Sequence, residues 1–204
     1  ETPWLRDAQS EAEQQKRIAL LFDLHAMNAQ LSTVVTRLSD LQLDDGSFPW
    51  FSGGQSNPYI TRHIVAGFGH LRKLGVKDNE MLRIIERSIA YLDKRFAAEY
   101  RRNEDYLNQS SGINRNHLDN DIVHYLYMRS FFPEISMTPA TQAAVDYYIP
   151  QQGSKHWTAL GLYAKGMMVL VQFRSKNLTV ANDILNSLRE NSITSEELGM
   201  YWKE

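Results

Sequence analysis

Between Met81 and Phe96 the apolar side chains return every three or four residues. Met81, Ile84, Ile85, Ile89, Leu92 and Phe96, with Ser88 among them, point one way, and Arg83, Glu86, Arg87 and Lys94 point the other. That period belongs to an α-helix with one buried stripe and one solvated face. It recurs along most of the chain. Leu31, Val34, Val35, Leu38 and Leu41 repeat it over residues 27–42, and Ile60, Ile64, Phe68 and Leu71 repeat it up to Gly75, a residue suited to a helix C-terminus. Leu118, Ile122, Tyr125 and Leu126 carry it to a stop at Pro133. No segment alternates with the two-residue period of a half-buried strand, so the chain is all-α.

The punctuation agrees. Ser10 with Glu13 three residues on is a capping-box signature, and Thr138 followed by Pro139 is an N-cap with proline at the first helical position. Asn79 precedes the amphipathic run, the polar stretch over residues 101–116 reads as a surface loop, and a last helix is expected from Thr179 to Arg189, with a further turn in the tail. Trp157 to Val171 is apolar nearly all round, as in a helix enclosed by others. It is shorter than the ~20 residues a membrane helix needs and contains Lys165, so no membrane span is expected. Seven or eight helices joined by short loops favour antiparallel helical hairpins. Within 204 residues these are expected to form a single domain over residues 1–204.

Composition excludes several functions. With 22 basic and 24 acidic residues and a pI near 6.3, the chain has no net field to hold nucleic acid. It contains no cysteine, which removes disulfides, a thiol nucleophile and thiolate-bound zinc. The opening, "ETPWLRDAQS", has no initiator Met and no signal-like run, and reads as an excised piece.

The most aromatic stretch, "LQLDDGSFPWFSGG" at residues 41–54, falls in a turn between two helical segments. Gln42 ends one helix, and Gly46 and Phe48 follow. The Gln42 amide is placed to reach orphan backbone groups at neighbouring helix ends, with the aromatic ring covering it. This glutamine–aromatic turn is similar to the one between helices of α/α toroids such as terpenoid cyclases, protein prenyltransferases and complement-like thioester domains. The longer string over residues 41–76 closely resembles the thioester-domain region of bacterial alpha-2-macroglobulin-like proteins. The strongest likeness covers about residues 38–76, carried by Gln42, Gly46, Phe48, Pro49, Trp50, Phe51, Gly53, Gly54, Tyr59, Ile60 and Thr61.

The resemblance implies a partial α/α toroid. Its implied function is that of a segment of an endopeptidase inhibitor that traps proteases by rearranging around them. It further implies an extracytoplasmic location in the periplasm or cell envelope, with other domains of the parent chain and a target endopeptidase as partners. A thioester, which family members form between a cysteine and a glutamine, is chemically impossible within this cysteine-free segment. No catalytic residue, metal or cofactor is carried over. The aromatic turn is expected to be a joint of the toroid, with Trp50, Phe51 and Tyr59 plugging one end of the ring or meeting a neighbouring domain. Trp50→Ala would then cost about 3–5 kcal/mol, as a core aromatic truncation does.

Two other readings place chemistry or binding on named residues. In an α/α-toroid enzyme acting on carbohydrate or isoprenoid, Asp44, Asp45 or Asp121 would be the acid, and a deep cavity with converging carboxylates is expected. In a helical peptide-binding module, Trp50, Phe51 and Tyr59 would line an exposed aromatic groove. His117, Asp119, Asp121 and His124 offer metal-ligand atoms, but at a helix start Asp119 and Asp121 face different ways and complement the helix dipole. His63 and His70 share a helix face at seven-residue spacing, too far for an i, i+4 metal pair, and suit polar packing. Gly67 and Gly69 suit close helix approach.

Overall fold

A computed structural model describes residues 27, 29–107, 115–195 and 199–202. The helix expected to start at Ser10 lies outside them. The described residues are mostly helical, 69% helix and 6% strand, as their periodicity requires. Contacts divide it into two compact units, residues 1–42 and 43–204. In the first, α1 spans residues 29–41. Of its expected apolar stripe, Val35 is buried, while Val34 and Leu41 are exposed.

The second unit contains α2 (Pro58–Lys73), α3 (Asn79–Leu107), α4 (Asn120–Arg129), α5 (Pro139–Tyr147), α6 (Leu162–Arg174) and α7 (Leu178–Glu190). Their ends are set by side chains that satisfy orphan amides. Asn57 accepts from the Ile60 N–H, Asp78 from Met81, Asp119 from Ile122 and Thr138 from Thr141. The cap of α3 is therefore Asp78, one residue before the expected Asn79. At the end of α2, Gly75 takes φ 90° while the N–H groups of Gly75 and Val76 bond back to Arg72 and Leu71, a Schellman closure.

Two sequence expectations fail in this unit for local reasons. Helix α3 runs on through residues 101–107, which read as loop because their polarity leaves no stripe to detect. The expected continuous helix from Trp157 is broken. A π-helical turn (Tyr148–Gly153) leads through Ser154–His156 and a 3-10 turn (Trp157–Ala159) to Leu160, which goes extended and buries its side chain before Gly161 starts α6. Short strands also appear where none was expected. Phe48–Pro49 (β1) pairs antiparallel with Ser56–Asn57 (β2), and Ile193–Ser195 (β3) pairs with Gly199–Tyr201 (β4). The β3–β4 hairpin occupies part of the tail in which a helical turn was expected.

Helix α4 packs between α2 and α6; α3 packs on α2 and α5, and α7 on α6. Consecutive helices thus alternate between two rows, with α2, α4 and α6 in one and α3 and α5 in the other. The expected stripe of α3, Met81 through Phe96, is buried throughout. Gly69 admits close packing of α2, since a Cβ there would strike the Phe131 ring. Phe96 of α3 stacks on Tyr125 of α4 with centroids 3.9 Å apart.

Beside that stack lies a buried charge. Asp93 accepts from the Tyr125 hydroxyl at 2.7 Å and from Arg129 Nε at 3.2 Å, and Arg129 also donates to the carbonyls of Phe132 and Ile135. Burial pushes the Asp93 carboxyl up, against the pull of Tyr125 and Arg129, and burial together with Asp93 pushes the Tyr125 phenol up, keeping it a proton donor. Asp93→Ala would leave the Arg129 cation buried without its counter-charge. The expected loss is about 3–5 kcal/mol in urea unfolding at pH 7, and a loss below about 1 kcal/mol would show that the pair does not hold the two rows together.

Candidate functional site

The aromatic turn divides into a buried lock and an exposed tip. In the lock, Gly46 adopts φ 87°, and a Cβ there would fall on the Arg87 carbonyl. Arg87 donates to the carbonyls of Leu43 and Asp44 at 3.0 and 3.2 Å, and the Ser88 hydroxyl donates to the Gly46 carbonyl at 2.8 Å. The Phe48 N–H bonds to Thr61 Oγ1 at 2.9 Å, and the Phe48 ring is 1% exposed. The turn is thereby tied to both α2 and α3. Arg87, read from its spacing as simply solvated, and Ser88 and Thr61 are the residues that bind the turn's backbone. Gln42 ends α1 in the first unit, its N–H donated to the Leu38 carbonyl at 3.0 Å.

The tip is the loop between β1 and β2. There Trp50 is 63% exposed, Phe51 69% and Tyr59, one residue into α2, 45%. Gly46 and Phe48 are buried within this unit, whereas Trp50, Phe51 and Tyr59 do not plug its helices, which leaves contact with a neighbouring domain as the form of joint they fit. For Trp50 and Phe51 the physical reason is the pairing of β1 with β2, which places them in the connecting loop; Tyr59 is on the first turn of α2.

The carboxylates proposed as acids do not converge. Burial raises the Asp45 carboxyl, but hydrogen bonds from the Ser47 hydroxyl and amide, then from Ser56, outweigh it and leave the group below its ordinary range. An acid held ionised is a poor proton donor. Asp119 caps α4, and Asp121 pairs with Arg62 of α2. Among the described residues no group of three or more His, Asp or Glu is placed to hold a metal ion.

What does converge is the imidazoles. Helices α2, α4 and α6 share a recess of about 440 Å³ lined by His63, His70, His124, Tyr127, Tyr163 and Met167. Gly67 and Gly166 also border it, and a Cβ at either would meet nothing within 4 Å. Gly67 therefore opens space, in place of the close approach expected from it. The common face read for His63 and His70 is the recess wall, and His70 hydrogen-bonds the Tyr127 hydroxyl at 2.8 Å. A run of rings joins tip to recess, with centroids 6.2 Å apart from Trp50 to Tyr59, 5.4 Å from Tyr59 to His63 and 5.2 Å from His63 to His124. The contributions of Tyr163 and Gly166 had no sequence signal, since α6 reads as apolar on every side.

No family model, curated protein or solved structure matches the chain.

Two predictions follow from these contacts. Gly46→Ala should cost more than about 1 kcal/mol through its positive φ and the Arg87 carbonyl. Trp50→Ala should cost under about 1 kcal/mol, as exposed substitutions do. Thermal and urea melts of the two variants compare them directly, and the reverse order would place Trp50 in the core.

The second prediction concerns His124. Burial, then the charges of Arg62 and His63, lower its pKa from 6.5 to about 4, with Asp121 opposing. The unfolded chain therefore binds the proton more readily than the folded one. The contribution is fully present above pH 6.5 and is lost as pH falls toward 4. Between pH 7 and 4.5 the parent chain should lose about 2–3 kcal/mol more stability than His124→Phe, measured by urea unfolding.

Proposed function

We propose that the chain is a non-catalytic segment of a bacterial alpha-2-macroglobulin-like endopeptidase inhibitor. In this reading it is a partial α/α toroid that holds other domains of an extracytoplasmic parent while the parent closes around a protease. The observation that carries it is the lock at Gly46 and Phe48. Three of the residues behind the resemblance, Gly46, Phe48 and Thr61, take part in tying one turn to the helices of both rows. Such a turn is a mechanical part. Alternation of consecutive helices between two rows supports the toroid, whose repeating unit is an inner and an outer helix.

The absence of cysteine from this segment means that whatever it contributes to trapping is non-covalent. The enzyme reading has less behind it. Of the carboxylates it names, Asp45 is held by Ser47 in the turn and Asp121 by Arg62, and the recess is lined by neither these nor Asp44. The peptide-binding reading is favoured by a separate observation, the exposure of Trp50, Phe51 and Tyr59.

Caging has a distinctive readout, because a cage excludes substrates by size. The parent protein is incubated with serine and metallo-endopeptidases, and residual activity is followed on a short peptide anilide and on casein. Retained anilide cleavage with loss of casein cleavage is expected. Equal loss on both substrates, or no loss on either with any protease, would remove the trapping role.

A further inference from the structure

His124 is 5% exposed, lines the recess, and makes no hydrogen bond to any described residue. The sealed unpaired nitrogens among the described residues are Arg62 Nε and His156 Nε2, so the nitrogens of His124 are not sealed within the protein, and the recess is the opening its side chain lines. A neutral imidazole carries one donor and one acceptor. Buried polar groups are ordinarily paired, and an imidazole packed among three helices at the wall of a recess, without a partner in the chain, marks a place where something binds.

The surroundings define the chemistry of the occupant. No Asp, Glu, Lys or Arg lines the recess; Arg62, whose field reaches His124, is engaged by Asp121, and Arg174 lies over the Tyr127 ring. A cationic group would lose its hydration there with no carboxylate to replace it, and an anionic group would have only imidazoles in the lining as counter-charges. A metal ion lacks a three-ligand set and would meet the field of Arg62. The polar groups of the lining are the imidazoles of His63, His70 and His124 and the phenols of Tyr127 and Tyr163, and His70 and Tyr127 already bond each other, which leaves few partners for the many hydroxyls of a saccharide. A volume of about 440 Å³ lies within the ~300–1,000 Å³ of small-ligand clefts and accommodates a large side chain with its flanking backbone. The exposed rings of Trp50 and Tyr59 continue the wall outward through His63, a rigid apolar track along which an extended chain can lie.

We propose that the recess between α2, α4 and α6 binds an extended peptide segment of a partner protein, taking one uncharged aromatic or aliphatic side chain and bonding the adjacent main chain through His124. Tyr59 and Trp50 cover the residues that follow. Gly67 and Gly166 are the positions that keep the recess open. The inference stands apart from the protease-trapping reading, since this chain binds or does not bind such a peptide whatever the parent does to a protease.

The test is a titration of the ¹⁵N-labelled chain followed through the imidazole two-bond ¹H–¹⁵N resonances. The probes are acetyl-Gly-Phe-Gly-amide, acetyl-Gly-Glu-Gly-amide and chitotriose. Saturable shifts of His63 and His124 are expected with the phenylalanyl peptide, and neither of the others should match them. Gly166→Leu fills the recess with a better helix former, so it should weaken binding at least ~10-fold without lowering Tm. His124→Phe keeps the ring and removes its nitrogens, and should weaken binding about 3–10-fold, as loss of one hydrogen bond does. No saturable shift with the phenylalanyl peptide, an equal response to the glutamyl peptide, preference for the saccharide, or undiminished binding by Gly166→Leu would each overturn the proposal.

Discussion

The Asp93 carboxylate holds together parts of the chain that no local preference would bring together. It lies on α3, in the row opposite α4, yet its partners Tyr125 and Arg129 are both on α4. Arg129 then spends its remaining donors on the carbonyls of Phe132 and Ile135, which fixes the turn leading into α5. One buried ion pair thus joins two rows and sets the departure of the next helix. Its worth lies in the fact that neither charge tolerates isolation, since the desolvation already incurred by one is compensated only by the other. The Phe96–Tyr125 stack alongside gives the same contact its apolar half.

The turn at residues 43–57 uses a different economy. Gly46 lets the backbone approach α3 closely enough for Arg87 and Ser88 to take its carbonyls, and Thr61 takes the Phe48 amide from α2. Once those groups are satisfied, the short β1–β2 pairing carries Trp50 and Phe51 away from the helices. Rigidity at the base and exposure at the tip have one cause. An aromatic side chain on a loop whose base cannot move is pre-organised for contact, and this connects the lock to the recognition surface above the recess.

The recess owes its character to what is missing from it. Carboxylates stand near by, but a cap, a turn and an ion pair each occupy one, so the recess between α2, α4 and α6 is lined by histidine and tyrosine rings without a carboxylate. Burial and the adjacent Arg62 keep His124 unprotonated well below neutrality, which preserves both its donor and its acceptor. A surface of that kind recognises shape and main-chain polarity in place of charge.

The helices were legible in the sequence wherever one face was buried and the other wet, as over Met81–Phe96, and so were the caps at Thr138 and the closure at Gly75, because these are satisfied within a few residues. Residues 101–107 hid their helicity, having no apolar stripe. The break at Leu160 and Gly161 was hidden because a uniformly apolar stretch has no period to interrupt. The importance of the aromatic turn was legible at Gly46 and Phe48. The fate of Trp50 was not, since exposure depends on what packs against a ring. Gly67 and Gly69 make the same point two residues apart: Phe131 stands over one and open space over the other. The sequence by itself determined the all-α class, the helix start at Thr138 and stop at Gly75, and the exclusion of thiol chemistry, all of which follow from local spacing and composition. Only the tertiary structure decided that Asp93 meets Arg129 and that three histidines share one recess, because those meetings are set by which helices become neighbours.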